Sequence, residues 1–497
     1  MTPIRIESNS DTIFAPATIP GTGAISLIRI SGPDALTVTD KIVKFSSGDC
    51  ISSKGFEIKY GTISKWDGSS EVMIDEVLVS VFRAPKSYTG ENSTEISCHA
   101  SQVIVNEILK LLNNAGGRPA EPGEFTKRAF LNGKMDLAQA EAVADVISSS
   151  SEAALKIAQN QLKGGLSGEM KELRKKISDL ASLLELELDF SEEDVEFADR
   201  KKLLGVVDES IAFIEKVKST FSHGNALKNG IPVAIVGATN TGKSTLMNRL
   251  VGEDRSIVSD IEGTTRDTVE ETMTVDGMLF RFIDTAGLRS TDEYVENLGI
   301  ERSISSVKKA SVVLCILDIT RPFEESSREF ETILDSCSFD GKTIGVILNK
   351  CDKLSENNDE LSSNNFVIRL NEFVLSAINK RFSHIDAING FFVSKISAKE
   401  GNGVLELLTM LSESQKQLTE KSTNGSFSML TNVRHYNALS RSSDALHRVK
   451  DDICTGVSID MTAQDLRDAL YYIGSITGEI TNDEILQSIF SNFCIGK

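Results

Sequence analysis

The stretch that decides the fold is Gly237–Ser244, which reads GATNTGKS and fits the pattern G-x-x-x-x-G-K-[ST] in full. The apolar run Val233–Val236 precedes it, and the helix-forming segment Thr245–Leu250 follows it. This strand–loop–helix order is the context that a phosphate-binding P-loop requires. Its backbone N–H groups and the start of the helix would surround phosphate oxygens. We therefore predict a nucleoside triphosphate site, with Lys243 on the β- and γ-phosphates and Ser244 on Mg²⁺.

The base is indicated by Asn349–Asp352 (NKCD), which follows an apolar strand pattern. A carboxylate at Asp352 would accept hydrogen bonds from two neighbouring N–H groups of guanine, and adenine offers no such pair. Asn349 would brace the loop, and the aliphatic stem of Lys350 would cover the ring. Ser397–Lys399 (SAK), after the next strand pattern, matches a further guanine-contacting element of GTPases. These motifs in this order predict that the nucleotide is GTP.

Two loops between the P-loop and the guanine motif are candidates for the metal and the γ-phosphate. In Asp284–Gly287 (DTAG), Asp284 would hold Mg²⁺ through water and the Gly287 amide would meet the γ-phosphate. Gly263–Asp267 (GTTRD) is the candidate switch I. The Thr265 hydroxyl would complete the Mg²⁺ shell only when GTP is bound.

The residue after DTAG raises a catalytic problem. A Ras-like GTPase has a glutamine there that orients the attacking water, but this chain has Leu288, which cannot polarise water. Asn240, in the P-loop, could instead help to hold a monovalent cation near the phosphates. Glu296 is a candidate base for orienting water, and the alternative is that it is a solvated helix residue.

The composition of the whole chain restricts its class. Its 497 residues are enough for about three domains. The formal net charge of −19 is not that of a general nucleic-acid binder, which needs a basic field. Seven scattered cysteines without C-x-x-C pairs suit a reducing cytosol and argue against disulfides or structural zinc. The N-terminus has no signal or transit pattern, and no apolar run approaches the ~18 residues of a membrane span. We therefore expect a cytoplasmic protein that does not enter the membrane.

Changes of pattern along the chain predict a multidomain α/β protein. We expect an N-terminal α+β domain over 1–134, a helical domain over 135–229 and 421–497, and a Ras-like, doubly wound α/β G domain over 230–420. The G domain would thus be inserted within the helical domain. The predicted elements include strands at Ala24–Ile30 and Asp75–Phe82, a helix at Ser101–Leu112, helical patterns at Leu137–Leu162, Ser167–Leu188 and Leu203–Val217, and a hairpin of Val269–Val275 and Leu279–Ile283 turned at Asp276-Gly277.

Four motifs together resemble one family over essentially the whole chain. They are GTTRD at Gly263–Asp267, DTAGLR at Asp284–Arg289, the signature at Pro122–Ala142 and CIGK at Cys494–Lys497. This set is similar to the MnmE (TrmE) family of tRNA-modification GTPases, and the C-terminal Cys-x-Gly-Lys is the most diagnostic piece. The stretch 353–390 is longer than in compact G domains, and we expect it to be a surface insertion.

The resemblance implies a function that neither composition nor spacing would give. It implies a K⁺-dependent GTPase that forms a homodimer through its N-terminal domain and a heterotetramer with a FAD-containing partner, MnmG (GidA). Together they would add a carboxymethylaminomethyl-type group at C5 of the wobble uridine (U34) of certain tRNAs. A 5-formyl- or methylene-tetrahydrofolate on this chain would supply the one-carbon unit, and tRNA would bind through the complex.

The resemblance also carries site residues onto this sequence. It implies folate contacts at Arg29, Glu95, Lys134 and Lys497. It implies K⁺ ligands at Asn240, Ser259, Ile261 and Thr264, Mg²⁺ ligands at Ser244 and Thr265, and catalytic roles for Glu296, Asn240 and Thr265. The expected GTP contacts are Asn240, Thr241, Gly242, Lys243, Ser244, Thr245, Ser259, Asp260, Ile261, Glu262, Gly263, Thr264, Thr265, Asp284, Thr285, Ala286, Gly287, Asn349, Lys350, Asp352, Ser397 and Ala398. Cys494 is either a reactive thiol or structural.

Two other functions compete with this hypothesis. One is a ribosome-assembly switch of the Era or Der type, but the predicted C-terminal part is helical and has no G-x-x-G loop of KH character. The other is a signalling GTPase that acts only by effector binding, which would leave the residues before the G domain without a role.

Overall fold

A computed structural model of the chain describes residues 11–189, 200–253, 271–283, 304–354, 360–381, 388–423, 428–455, 457–491 and 493–496. The chain divides into two compact units. The first contains Met1–Ala144, Leu162–Ser178 and Leu470–Lys497, and the second contains Asp145–Gln161 and Asp179–Ala469. Segments from both sides of the predicted G domain therefore contribute to the first unit.

A seven-stranded sheet forms the centre of the first unit, in the order β3-β4-β5-β6-β2-β1-β7. The strands are β1 (Ile13–Pro16), β2 (Ile25–Ser31), β3 (Val43–Phe45), β4 (Glu57–Trp66), β5 (Glu71–Phe82), β6 (Ser93–His99) and β7 (Arg118–Pro119). Neighbouring strands are antiparallel except for β1 and β7. The two strands predicted from alternation, now β2 and β5, are confirmed.

One face of this sheet is buried, and the other is open along β4 and β5. Val77, Val79 and Val81 of β5 are buried in a core that includes residues of α1 (Ala35–Ile42) and α2 (Gln102–Ala115). Between them, Leu78 is 48% exposed on the opposite face. The alternation follows from the strand geometry, since successive side chains point to opposite faces.

Helices follow, as the pattern from residue 135 predicts. They are α3 (Glu124–Leu131), α4 (Leu137–Ser148), α5 (Glu152–Leu162), α6 (Gly165–Asp189), α7 (Arg200–Ser219) and α8 (Phe221–Asn229). The pattern Leu137–Leu162 is divided in two at Ser149–Ser151. The Ser149 hydroxyl donates to the Asp145 carbonyl at 2.6 Å, and the Ser151 hydroxyl accepts from the Ala154 N–H at 3.2 Å. Serine side chains that bond the local backbone in this way favour helix ends.

The second unit contains a six-stranded sheet in the order β13-β12-β11-β8-β10-β9. Its strands are β8 (Ile231–Val236), β9 (Glu271–Val275), β10 (Met278–Phe282), β11 (Val312–Asp318), β12 (Thr343–Asn349) and β13 (Gly390–Lys395). All neighbours are parallel except β9 and β10. Every residue of β11 and β12 is buried, as expected for central parallel strands covered on both faces. The Ras-like α/β fold class is confirmed.

The helices of this domain are α9 (Lys243–Glu253), α10 (Phe323–Ser336), α11 (Glu360–Arg381) and α12 (Val404–Thr423). The hairpin is turned where the sequence predicted, since Asp276 and Gly277 both have positive φ, at 48° and 74°. The expectation that 353–390 is a surface insertion is wrong for the helix α11. Leu370, Val374 and Ile378 recur at helical spacing and are buried in the core with β11 and β12.

The C-terminal part is helical, with α13 (Val433–Thr455), α14 (Ile459–Thr477) and α15 (Asp483–Phe490). The Asn482 side chain caps α15 by accepting from the Ile485 N–H at 2.9 Å. In the described ranges, no helix combines the length and the apolar character needed to cross a bilayer.

Candidate functional site

The P-loop leaves the carboxyl end of β8 and leads into α9. A side chain at Gly237 would collide with the Ile316 carbonyl, and one at Gly242, where φ is 102°, would collide with the Asn349 amide. Both positions therefore need glycine, because the loop backbone approaches its neighbours closely there. The P-loop consequently lies at the carboxyl edge of the sheet, where ligands bind in open α/β folds.

Asn349 joins three of the predicted motifs. It is 2% exposed at the end of β12. Its side-chain amide donates to the Thr241 carbonyl at 2.7 Å, and its side-chain oxygen accepts from the Ala398 N–H at 2.9 Å. One buried side chain thus connects the P-loop, the NKCD segment and the SAK loop.

Lys243 begins α9 and turns back across the P-loop. Its amine donates to the Gly237 carbonyl at 2.8 Å and to the Ala238 carbonyl at 2.7 Å. Burial lowers the pKa of Lys243. Ser244 and Thr245 follow in the first helical turn, and the Thr241 hydroxyl donates to the Ala238 carbonyl at 2.9 Å. The loop thus presents a cation and a helix N-terminus on one side, a combination suited to phosphate.

Lys350 has a left-handed backbone, with φ at 69°. Its amine donates to the Asn240 carbonyl at 2.7 Å and lies 2.5 Å from Asp318 Oδ2. Burial raises the pKa of Asp318, but hydrogen bonds from Lys350 and Thr320 outweigh it and leave that pKa below its usual range. Asp352 is half-buried in the 3-10 turn Cys351–Leu354.

Several predicted site residues lie outside the described residues. They are Ser259, Asp260, Ile261, Glu262, Gly263, Thr264, Thr265, Asp284, Thr285, Ala286, Gly287, Glu296 and Lys497. Their assignments to K⁺, Mg²⁺, water activation and folate therefore stay predictions.

In the first unit, the predicted folate contacts Arg29 and Glu95 lie opposite each other on β2 and β6. Arg29 Nε donates to Glu95 Oε1 at 2.9 Å. The guanidinium lies 5.1 Å from the centre of the Tyr88 ring and 5.7 Å from that of Phe125. The structure therefore combines an ion pair with two aromatic rings at this position.

The loop that carries Tyr88 also contacts Lys134. Lys134 Nζ donates to the Pro85 carbonyl at 3.0 Å, and its side chain lies beside Gly90. At the C-terminus, Gly496 lies against the backbone of Pro16 and Ala17, at the end of β1, and Cys494 is exposed. A cavity of about 510 Å³ in this unit contains none of the three predicted folate contacts that the structure describes, since it is lined by Phe14, Ala15, Pro16, Leu109, Lys110, Asn113, Asn114, Pro119, Ala120 and Ile495.

Known proteins match nearly the whole chain. The profile for the MnmE helical domain matches residues 137–494, and that for the N-terminus of the GTP-binding protein TrmE matches residues 12–134. The tRNA modification GTPase MnmE of Bacteroides thetaiotaomicron is 46% identical over 491 residues, which is 98% of this chain and 100% of that protein. The chain belongs to the MnmE family of tRNA modification GTPases. The MnmE of Flavobacterium psychrophilum is 44% identical over 490 residues, 98% of this chain and 99% of that protein.

These matches extend over all the predicted domains of an MnmE protein and favour the first of the three hypotheses. Among solved structures, the G-domain of FeoB from Methanococcus jannaschii is similar to 37% of this chain and 97% of that chain, at 20% identity and a TM-score of 0.25. At that TM-score the likeness supports no inference about this MnmE-family chain.

Several residues around the sites were missed by the sequence reasoning. Asp318 could have been found, because it is the only charged residue of the apolar run Val312–Asp318 and ends it at the ligand-binding edge. Arg321 and Glu329, which contact the P-loop, belong to no motif. Glu124 and Arg128, within the family signature, are buried and paired at 2.9 Å in this MnmE-family chain.

Proposed function

We propose that this chain is a K⁺- and Mg²⁺-dependent GTPase that hydrolyses GTP to GDP and phosphate as part of a tRNA-modifying complex. The observation that carries the nucleotide part is the position of Asn349, whose side chain bonds both the P-loop and the SAK loop. That arrangement brings a phosphate loop and a guanine loop to one edge of one sheet. The tRNA part rests on the relatives named above.

The residues of the P-loop fit a nucleotide bound with metal ions. Mg²⁺ neutralises the phosphates when bound, and Ser244 would be one of its ligands. Lys243 would exchange its two backbone acceptors for phosphate oxygens, since its amine already lies over the loop. Asn240 would contribute a side-chain oxygen to K⁺, together with Ser259, Ile261 and Thr264. Thr265 would complete the Mg²⁺ ligands, and Glu296 would orient the attacking water, a task that Leu288 cannot perform.

GTP hydrolysis by the purified full-length chain in K⁺ and in Na⁺, at matched ionic strength, tests this proposal. We expect a large stimulation specific to K⁺ and its loss in Asn240→Ala. Equal rates in the two salts would contradict the K⁺ assignment while leaving GTP binding intact. A fluorescent GDP analogue, titrated into both proteins, provides the control, because Asn240→Ala should still bind it.

We also propose that the N-terminal domain binds a 5-formyl- or methylene-tetrahydrofolate. Arg29 and Lys134 supply positive charge for the glutamate tail, and Glu95 can accept from the N–H edge of the pterin. Tyr88 lies beside Arg29 and offers a ring for stacking, whereas Phe125, on the same guanidinium, is fully buried. Lys497 would add a further cation near the C-terminus.

Calorimetric titration of the chain with 5-formyl-tetrahydrofolate tests the folate site. Glu95→Gln should weaken binding by about tenfold, because it replaces a charge-assisted hydrogen bond worth about 1.5–3 kcal/mol with a neutral one worth about 0.5–1.5 kcal/mol. Glu107→Gln is the matched control. Glu107 is in the same unit and pairs with Lys65 at 2.8 Å, and it is not one of the predicted folate contacts. Equal affinities of the two variants would contradict the assignment of Glu95.

The open face of the seven-stranded sheet supports a homodimer. The register aligns Tyr60, Leu78, Ser97 and Leu27 in one row across four strands, and Ile58, Ser80, Glu95 and Arg29 in the next. Ile58 is 70% exposed, Tyr60 is 47% exposed and Leu78 is 48% exposed. A contiguous apolar patch of this kind marks an interaction surface. We propose that a second copy covers it, next to the Arg29–Glu95 pair.

We further propose that the dimer acts with a FAD-containing MnmG partner in the cytoplasm to install a carboxymethylaminomethyl-type group at C5 of the wobble uridine. All seven cysteines are free, which suits a reducing compartment. Incubation of both proteins with GTP, folate, the amino donor and unmodified tRNA, followed by nucleoside mass spectrometry, tests this. If GTP is hydrolysed but no modified uridine forms, the role in tRNA modification is contradicted and the GTPase activity is not.

A further inference from the structure

Four consecutive residues of the P-loop each have a backbone group held by a side chain from outside the loop. The bonds are Ala238 N–H to Glu329 Oε1 at 2.6 Å, Arg321 Nη2 to the Thr239 carbonyl at 2.8 Å, Lys350 Nζ to the Asn240 carbonyl at 2.7 Å, and Asn349 Nδ2 to the Thr241 carbonyl at 2.7 Å. Two of these side chains belong to the guanine motif. The other two, Arg321 and Glu329, belong to no motif and have no role in the function proposed above.

Arg321 and Glu329 are themselves held in place by one another and by their neighbours. Arg321 Nη1 lies 3.5 Å from Glu329 Oε2 and 3.3 Å from Glu325 Oε1. Its Nε lies 3.9 Å from Asp318 Oδ2. The Glu329 side chain is 11% exposed, so its bond to Ala238 is largely shielded from water. A charge-assisted bond to a backbone group in such a position is stronger than a neutral, exposed one.

These contacts surround Asn240, whose φ is 64°. Asparagine adopts this left-handed region more readily than most residues, but the conformation still costs free energy and persists only where the surroundings hold it. Arg321 holds the carbonyl before Asn240, and Lys350 holds the carbonyl of Asn240 itself. A rotation about φ or ψ of Asn240 would break one of these two bonds.

We propose that Arg321 and Glu329 are positioning residues that hold Asn240 in its left-handed conformation, so that its side chain points correctly for the cation. The proposal rests on the K⁺-dependent function proposed above. Arg321 acts through the Thr239 carbonyl, and Glu329 acts by orienting Arg321 and by fixing the Ala238 peptide, which begins the same loop. The pair thus adds to the proposed K⁺ site two supporting residues that lie 82 and 91 positions from the backbone groups they bond.

The test measures the K⁺ concentration that half-activates GTP hydrolysis, in the full-length chain. Arg321→Ala should raise it by about tenfold, since the loop backbone is then free to leave the strained conformation. Arg321→Lys should restore part of the difference, because an amine can still donate to the Thr239 carbonyl. Glu329→Ala should also raise it, and Glu329→Gln should lie between Glu329→Ala and wild type, because an amide oxygen still accepts from Ala238 but no longer forms an ion pair with Arg321. Arg328→Ala, an exposed change on the same helix, is the matched control.

The outcomes separate this proposal from the one it rests on. Both proposals are supported if K⁺ activates the wild type and the half-activating K⁺ concentration is raised in Arg321→Ala but unchanged in Arg328→Ala. If K⁺ activates the wild type, and Arg321→Ala and Arg328→Ala have the same half-activating K⁺ concentration, the positioning role is overturned and the K⁺-dependent function stands. A wild type that is indifferent to K⁺ overturns both. A loss of affinity for a fluorescent GDP analogue equal to the shift in K⁺ activation would show general damage to the loop and would also overturn the positioning role.

Discussion

At the scale of single residues, the proposed guanine site depends on one carboxylate, that of Asp352. Asp352 lies in a 3-10 turn directly after β12, while the neighbouring Asn349 is committed to backbone contacts with two other loops. The two residues differ in role because their side chains carry different hydrogen-bonding groups. An amide has both a donor and an acceptor and can connect two peptides, whereas a carboxylate only accepts and suits the two N–H groups of guanine.

Asp352→Asn should exchange guanine specificity for xanthine specificity. The amide would donate to the 2-oxo group of xanthine, but it would leave one N–H of guanine without an acceptor. We expect affinity for GTP to fall by about 100-fold, with a gain for xanthosine triphosphate, as for other sites in which a base loses a buried partner. Competition with a fluorescent GDP analogue measures both, and the exposed Asp340→Asn is the control. Unchanged selectivity would rule out Asp352 as the guanine contact.

At the scale of elements, helix α8 carries a histidine that is held neutral. His223 is 8% exposed, and its Nε2 lies 2.8 Å from the Thr419 hydroxyl of α12. Burial lowers the pKa of His223 from 6.5 to about 4. A base whose folded-state pKa lies below its unfolded value stabilises the fold fully above the unfolded pKa. That contribution is lost as the pH falls through the interval between the two values.

The unfolding free energy should therefore decrease between about pH 6.5 and 4 by up to roughly 3 kcal/mol because of His223 alone. His223→Gln can keep the bond to Thr419 but has no proton to gain, so it should lose less stability over that range. Urea denaturation of both proteins at several pH values measures the difference. Parallel pH profiles for the two proteins would show that His223 is not held neutral by burial.

The β9–β10 hairpin is anchored at its turn to a helix of the same unit. The Gly277 carbonyl accepts from the Ala153 N–H of α5 at 3.0 Å, and a side chain at Gly277 would lie 3.0 Å from Glu152 Oε2. Asp276 reaches the Ser412 hydroxyl of α12 at 2.8 Å. In the sequence, the hairpin lies between the two segments predicted to sense the γ-phosphate, and its turn is anchored to a helix outside the predicted G domain.

Gly277→Ala should destabilise the second unit more than Gly341→Ala does. Both glycines have a left-handed φ, at 74° and 66°, so both substitutions pay about 1–2 kcal/mol for the conformation. Only Gly277 has α5 against it, whereas no neighbour in the described structure lies within 4 Å of a side chain at Gly341. Thermal unfolding of the two variants isolates the contact with α5. Equal shifts would mean that the hairpin moves away from α5 at no cost.

At the scale of the whole molecule, the open sheet face predicts assembly. Leu78→Glu, on that face, should convert the proposed homodimer to a monomer in analytical ultracentrifugation, because a charge cannot be buried there without a partner. It should also weaken folate binding, since the Arg29–Glu95 pair lies in the adjacent row. Val103→Glu, a 72% exposed position on α2, is the control. A Leu78→Glu protein that remains dimeric would place the interface on another surface.

The sequence by itself determined the features that residue type and chain order encode locally. The glycines and lysine of the P-loop, the NKCD segment, the apolar strand runs and the Asp-Gly turn are all contiguous, and each constrains its own backbone. Their order identified a Ras-like G domain, and the motifs along the chain identified the family. The end of α4 and the start of α5 at Ser149–Ser151 also have a local cause, since serine side chains bond the backbone there. The sequence pattern did not predict this break, because the segment contains no glycine or proline.

Only the tertiary structure decided which distant residues meet. Arg29 and Glu95 are 66 positions apart and become partners through the register of two strands. Arg321 and Glu329 reach the P-loop because β11 lies beside β8 and leads into α10. One face of helix α11 is buried because it packs on the sheet, although its segment follows a polar stretch. The physical reason is the same in each case: a long-range contact depends on packing, and packing depends on the whole chain.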